Sequence, residues 1–281
     1  MMGALYDWLG VLLPFSWLDH TFMKNAFLAV LLVTPLFGLL STMVVSSRMV
    51  FFSDSLGHGA FTGIALGALL GIVSPLISLS VFSVFFAFLI TYIKNRSSAS
   101  TDTVIGVFSS TAIAAGLMIM SRGGGFNKFS SYLIGDILSV APKDLAALAV
   151  VFFVVFLLWG ILFNPLLLLS INRPFAQSRG VSAFFVESTF AALLAVVVAV
   201  SIQWVGLLLI NSLLVLPAAT ARNVASSVKA YHAVSVGTAL VSGVTGLVLA
   251  YYFNMAAGAA IVTVAAGFFF VTLGLKGRFQ Q

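Results

Sequence analysis

"STFAALLAVVVAVSIQWVGLLLINSLLVLPAATA", residues 188–221, is almost unbroken apolar sequence, interrupted chiefly at Gln203 and Trp204. Roughly 20 apolar helical residues cross a bilayer core, so this stretch is too long for one span. It reads either as a tight hairpin of two spans or as one span followed by a re-entrant piece. The same rule, applied outward, places spans at 25–46, 53–73, 75–93, 103–120, 144–164, 183–202, 205–221, 231–252 and 257–275. The predicted fold is an all-α polytopic membrane protein with eight or nine transmembrane helices, the count turning on the sixth and seventh.

Composition agrees with that pattern. Of 281 residues 61% are hydrophobic and 7% charged, against roughly 45–50% and about 25% in soluble domains. No polar stretch is long enough to build a second core, so one transmembrane domain over residues 1–281 is expected. The net charge of +6 does not point to nucleic acid, because the 13 Lys and Arg are scattered between apolar runs and form no basic face. They read as topology signals. With the amino terminus outside and nine crossings, Arg48, Lys94, Arg96, Arg173, Arg179, Arg222, Lys229, Lys276 and Arg278 fall in the cytoplasm, leaving Lys24, Arg122, Lys128 and Lys143 outside. The flexible-looking connection "SRGGGFNKFSS" (121–131) then lies on the outer side. Residues 1–22 carry no basic leader or small-residue cleavage motif, so no cleaved signal is expected. Tyr6, Trp8 and Trp17 around a short apolar run suit a segment at the water–lipid boundary. Without cysteine, any metal would be met by oxygen and imidazole.

"FFSDSLGHGAFTGIALGALLGI" (51–72) sets Asp54 and His58 four residues apart. On a helix both project from one face, one turn apart. Gly59, Gly63, Gly67 and Gly71 recur every fourth position, and at about 100° per residue they point away from the pair. A small-residue stripe admits a neighbouring helix closely, while the opposite face offers a carboxylate and an imidazole. Two readings stay open. Asp54 or Ser53 could cap the helix start, with His58 bonded to a nearby carbonyl. Alternatively the pair are two ligands of a transient divalent-metal site, since zinc and manganese both accept such donors. Two ligands are too few for a structural zinc site, and that incompleteness suits an ion that must also leave. His20 and His232 sit at predicted span ends and read as solvated or hydrogen-bonded. Glu187, the chain's one glutamate, reads as reaching back to the membrane boundary.

"SINRPFAQSRGVSAFFVE" (170–187) joins the fifth and sixth spans. Pro174 suits the start of a helix and Gly180 its end, which predicts a short surface helix over 174–179 capped by Asn172. Phe175 would point outward between arginines. An ordinary connecting turn and a docking element for a cytoplasmic partner both fit. No nucleotide-binding or hydrolase motif is present, so the chain is not read as an enzyme and any ATP hydrolysis belongs to another chain.

Four blocks in order, "FFSDSLGHGAFTGIALG" (51–67), "SYLIGDILSVAPKDL" (131–145), "RPFAQSRGV" (173–181) and "VGLLLINSLLVLPAATARNVA" (205–225), resemble the membrane permease of bacterial ABC importers for zinc and manganese. The resemblance covers about residues 24–275. It implies the permease fold of such metal importers and a multi-pass protein of the bacterial inner membrane. It implies two permease copies, as a homodimer or two related chains, with two ATP-binding cassette subunits and a periplasmic or lipid-anchored metal-binding protein. No resident cofactor is implied; zinc or manganese is cargo and ATP is used by the partners. Asp54 and His58 match the metal positions of the second span. Arg173, Pro174, Phe175, Ala176, Arg179 and Gly180, within 172–181, match the ATPase-coupling segment. Asn211 and Pro217 fall in a block that implies a gate or kink, Pro217 being able to bend its helix. Gly57 and Gly59 stand where the family more often has serine and alanine. The 131–145 block is more similar to zinc than to manganese members. Two rival functions remain: a proton-coupled secondary metal carrier using Asp54 or Glu187, and an intramembrane protease at Gly135-Asp136, which lacks the second aspartate that chemistry needs.

Overall fold

The computed structural model describes Tyr6, Gly10 and residues 15–72, 74–123 and 135–279. Trp8, most of the 121–131 connection with its Lys128, and the opening of the 131–145 block lie outside the described residues. Eleven α-helices and no strand occur among those described. They are α1 (Thr21–Ser46), α2 (Val50–Leu69), α3 (Pro75–Arg96), α4 (Thr101–Gly123), α5 (Pro142–Ile171), α6 (Arg173–Ser178), α7 (Ala183–Val205), α8 (Leu207–Leu213), α9 (Leu216–Val224), α10 (Val228–Phe253) and α11 (Ala257–Phe279). Short 3-10 turns stand at Ser16–Leu18 and Ile137–Ser139. Eight segments are long and apolar enough to cross a membrane: α1, α3, α4, α5, α7, α8 with α9, α10 and α11. The chain is a multi-pass membrane protein.

α2 is not among the eight, because Ser53, Asp54, Ser55, His58 and Thr62 dilute its apolar side chains. It compensates by burial within the chain. Ser53, Ser55 and Thr62 are each at most 3% exposed. A helix too polar for lipid is thus sheathed by protein, where two of these hydroxyls find acceptors, Ser53 donating to the Val50 carbonyl at 2.8 Å and Thr62 to that of Ala112, while the buried Ser55 hydroxyl has none among the described residues.

The chain forms two compact units. One comprises residues 1–42, 135–154 and 204–281; the other 43–134 and 155–203. In the first, α9 packs on α10 and α11, and α8 on α11. α1 meets α10 through small residues. The Ser41 and Ser235 hydroxyls lie 2.9 Å apart, Ser235 donates to the Gly38 carbonyl at 2.6 Å, and a Cβ on Gly38 would stand 2.9 Å from the Val236 backbone. Without a hydrophobic drive between helices in lipid, such close approach and interhelical hydrogen bonding hold the pair. Trp17 is 5% exposed, its ring edge-on to Phe27 of α1 at 5.5 Å.

α10 and α11 meet at Gly246, where an added Cβ would come within 2.5 Å of the Ile261 Cα. Because backbone must move, Gly246→Ala should lower the thermal midpoint by several degrees, from roughly 1–3 kcal/mol of overpacking. Gly237→Ala on the same helix meets nothing within 4 Å and should leave the midpoint equal or higher. Matched thermal melts of the two variants check this.

In the second unit α2 packs on both α3 and α4. The long apolar run of 188–221 becomes α7 followed by a broken helix. The chain leaves α7 at Gly206, whose φ of 78° suits only glycine readily, and breaks again at Val215 between α8 and α9. Pro217, expected to kink a helix interior, stands in the first turn of α9, where its missing N–H costs nothing. The interruption falls ahead of it as a full break. Asn211 lies within α8.

Candidate functional site

α2 begins at Val50, earlier than the expected 53, and ends at Leu69, not 73. Its N-cap is Met49, with no side-chain cap. Neither Ser53 nor Asp54 therefore caps the helix. From Phe52 to Ala60 every residue is buried except Asp54 and His58. Their side chains are 48% and 38% exposed, with Asp54 Oδ2 3.6 Å from His58 Nε2. That separation exceeds a hydrogen bond. It is close to the ~3.4 Å between two donors that sit ~2.1 Å from one tetrahedral ion. Among the described residues no group of three or more Asp, Glu, His or Cys is gathered for a metal. A divalent ion here would take the remaining oxygens from water, neutral groups or another chain.

The glycines of α2 lie toward α3. A Cβ on Gly59 would stand 3.0 Å from the Phe86 ring, one on Gly63 2.9 Å from the Phe82 Cβ, and one on Gly67 would collide with the Ser78 side chain. Gly71 departs from the expected stripe. It lies past the helix with φ 70° and nothing within 4 Å of its Cβ position. There it closes the helix end, the Ile72 N–H bonding the Gly67 carbonyl at 2.9 Å.

The connection at 172–181 does contain a short helix, α6, displaced by one residue from the expected 174–179. Asn172 Oδ1 accepts from the Phe175 N–H at 3.0 Å, and Pro174 occupies the first turn. Gly180, at φ 81°, ends it, with the Val181 N–H donating back to the Ala176 carbonyl at 3.1 Å. Ala176 is buried, whereas Phe175 is 46% exposed with the Arg179 guanidinium over its ring at 5.3 Å.

What sequence reasoning set aside is Glu187. Its carboxylate, 13% exposed, joins three elements. Arg173 of α6 reaches Oε1 at 3.0 Å. From the end of α3, Lys94 and the Asn95 amide reach Oε2 at 3.4 and 3.3 Å. Arg173 also donates to Asn95 Oδ1 at 2.5 Å. The sequence signal was Glu187 being the one glutamate, one turn inside α7, with Lys94, Arg96, Arg173 and Arg179 predicted on the same side of the membrane.

The remaining polar residues have structural places. His232 Nε2 lies 3.0 Å from Thr42 Oγ1 and Nδ1 2.8 Å from the Val228 carbonyl; His20 stacks on Phe22. Asp136 caps the Ile137–Ser139 turn, accepting from the Leu138 N–H at 3.0 Å, and Gly135 leaves room for the Gly206 backbone.

The model of the ABC 3 transport family matches residues 19–276. The chain belongs to that family. The manganese import system permease protein ScaB of Streptococcus gordonii is 32% identical over 254 residues, covering 90% of this chain and 91% of its own. The high-affinity zinc uptake system membrane protein ZnuB of Haemophilus influenzae is 28% identical over 240 residues, covering 85% and 92%. Among solved structures, PsaBC from Streptococcus pneumoniae in complex with Fab superposes with a TM-score of 0.78 at 31% identity, over 97% of this chain and 95% of that one. The all-α fold of this ABC 3 family chain is therefore that of an ABC permease.

Proposed function

We propose that this chain is the permease subunit of an ATP-driven importer that carries a divalent transition metal, zinc first and manganese next, from an extracytoplasmic binding protein into the cytoplasm by alternating access. Asp54 and His58 are its transient metal ligands. The carrying observation is that they are the two open residues on an otherwise buried stretch of α2, with donor atoms 3.6 Å apart. The names of relatives, manganese import for one and zinc uptake for another, support the cargo class. The zinc preference rests on the 131–145 block alone.

α6 is the docking element for the ATPase subunits, two of which serve a pair of permease copies. Its exposed Phe175 and Arg179 offer the contact, and Gly180 ends the helix at the required length. Glu187 transmits the push, because one carboxylate holds α6 to the ends of α3 and α7. The broken α8–α9 pair, with Asn211 and Pro217, supplies a flexing point for the gate. The proton-driven carrier reading draws no comparable support: Glu187, one of its two proton sites, is held by Lys94, Asn95 and Arg173.

Reconstitution tests the proposal. Vesicles holding this chain with its ATPase subunits and binding protein should accumulate zinc only with ATP inside the ATPase compartment. Accumulation by the chain alone under a proton gradient would replace the importer with the secondary carrier. Manganese taken up in preference to zinc would reverse the metal order.

A further inference from the structure

Two cavities share the seam between α3 and α7. The first, about 420 Å³, is lined by Tyr92, Asn95, Arg96, Arg173, Gln177 and Ser182 among others; among the described residues no carboxylate lines it, and Glu187 holds Arg173 and Asn95 from behind the wall. The Arg96 guanidinium lies over the Tyr92 ring at 4.9 Å from its centroid. The second, about 550 Å³, is lined by Ser80, Val81, Val84, Phe85, Phe88, Ser188 and Ala192 and is overwhelmingly apolar. Phe184 of the first wall and Phe88 of the second are in edge-to-face contact at 5.8 Å, and Tyr92 meets Phe184 at 6.3 Å. A single aromatic cluster thus joins a cationic pocket to an apolar groove.

The groove faces outward. Val81, Phe85 and Phe88 are 65%, 58% and 47% exposed, at helical spacing on one side of α3. From Val81 to Tyr92 the helix rises about 16 Å, close to the ~15 Å half-thickness of a bilayer's hydrocarbon core. The cationic pocket sits at the end of α3 that the basic residues assign to the cytoplasm, the side on which basic pockets between spans take up anionic lipid headgroups. An acidic side chain of a protein partner would use the pocket and leave the groove empty. A molecule with an anionic head and a long apolar tail uses both.

We infer that the α3–α7 seam binds an anionic phospholipid, its phosphodiester headgroup at Arg96, Gln177 and Ser182 and one acyl chain along Val81, Phe85 and Phe88. The guanidinium of Arg96 donates to the phosphate oxygens, while Arg173, whose charge is taken by Glu187, forms the α6 side of the pocket wall. The site is independent of which ion the protein moves.

The full chain, purified in detergent and exposed to equimolar phosphatidylglycerol and phosphatidylcholine, is read by native mass spectrometry. Wild type should retain phosphatidylglycerol over phosphatidylcholine by about tenfold, the order set by one charge-assisted contact. Arg96→Gln should remove that preference, and Ala192→Trp, which fills the groove, should lower retention of both lipids. Equal retention of the two lipids by wild type overturns the proposal without any variant. So does unchanged retention in Ala192→Trp, or displacement of the lipid by soluble glycerol phosphate, either of which leaves an anion pocket with no role for the chain.

Discussion

Metal uptake should fall by about 100-fold or more when either Asp54 or His58 is replaced by alanine, a loss at the upper end of what even indirect metal-supporting residues cause. Membrane insertion and assembly with the ATPase subunits should be unchanged. The separation of the two effects follows from exposure: at 48% and 38% open, neither side chain fills a core space whose loss would leave a cavity. Asp54→Glu, which keeps a carboxylate one methylene further out, should retain part of the activity, whereas Asp54→Asn, isosteric but a poorer ligand, should not. Uptake of labelled zinc in vesicles of matched protein content measures this. Wild-type rates in both alanine variants would remove the site.

The second large effect should come from Glu187. Its carboxylate faces Lys94, Asn95 and Arg173 with 13% exposure, and Glu187→Ala leaves two cations without their counter-charge. Breaking a buried pair costs about 3–5 kcal/mol; with Arg173 itself 40% exposed, the loss here should be nearer 1–3 kcal/mol after solvent screening. The functional expectation is larger than the stability one. ATP hydrolysis by the partner subunits should persist while metal uptake drops at least about tenfold, because α6 is no longer pinned to α3 and α7. Glu187→Gln and Arg173→Gln, singly and together, form the deciding cycle: the double variant should lose little beyond either single one if the two residues act through one contact. Additive losses, or hydrolysis and uptake falling in step, would show that Glu187 supports folding without transmitting motion.

Much of this was legible along the chain. The apolar runs marked the spans to within a few residues for α3, α10 and α11, because the bilayer imposes a minimum length on any crossing helix. The α6 helix was legible too, since Asn172, Pro174 and Gly180 are local signals whose effects reach only one turn. Helix ends without such signals were placed less well. α2 starts three residues early because Val50, Phe51 and Phe52 continue the helix without a capping side chain at Met49, and Gly71 belongs to its exit, not its packing face.

Sequence by itself determined that the chain crosses a membrane many times, that Asp54 and His58 share a helical face, and that a short helix lies within 172–181, to within one residue at each end; each follows from composition or from spacings shorter than two turns. Tertiary structure decided that α2 is sheathed by protein, that the 188–221 run breaks at Gly206 and Val215, and that Glu187 gathers Lys94, Asn95 and Arg173. Those outcomes depend on which helices become neighbours, and a contact between residues 92 or 93 positions apart leaves no periodic trace in the sequence.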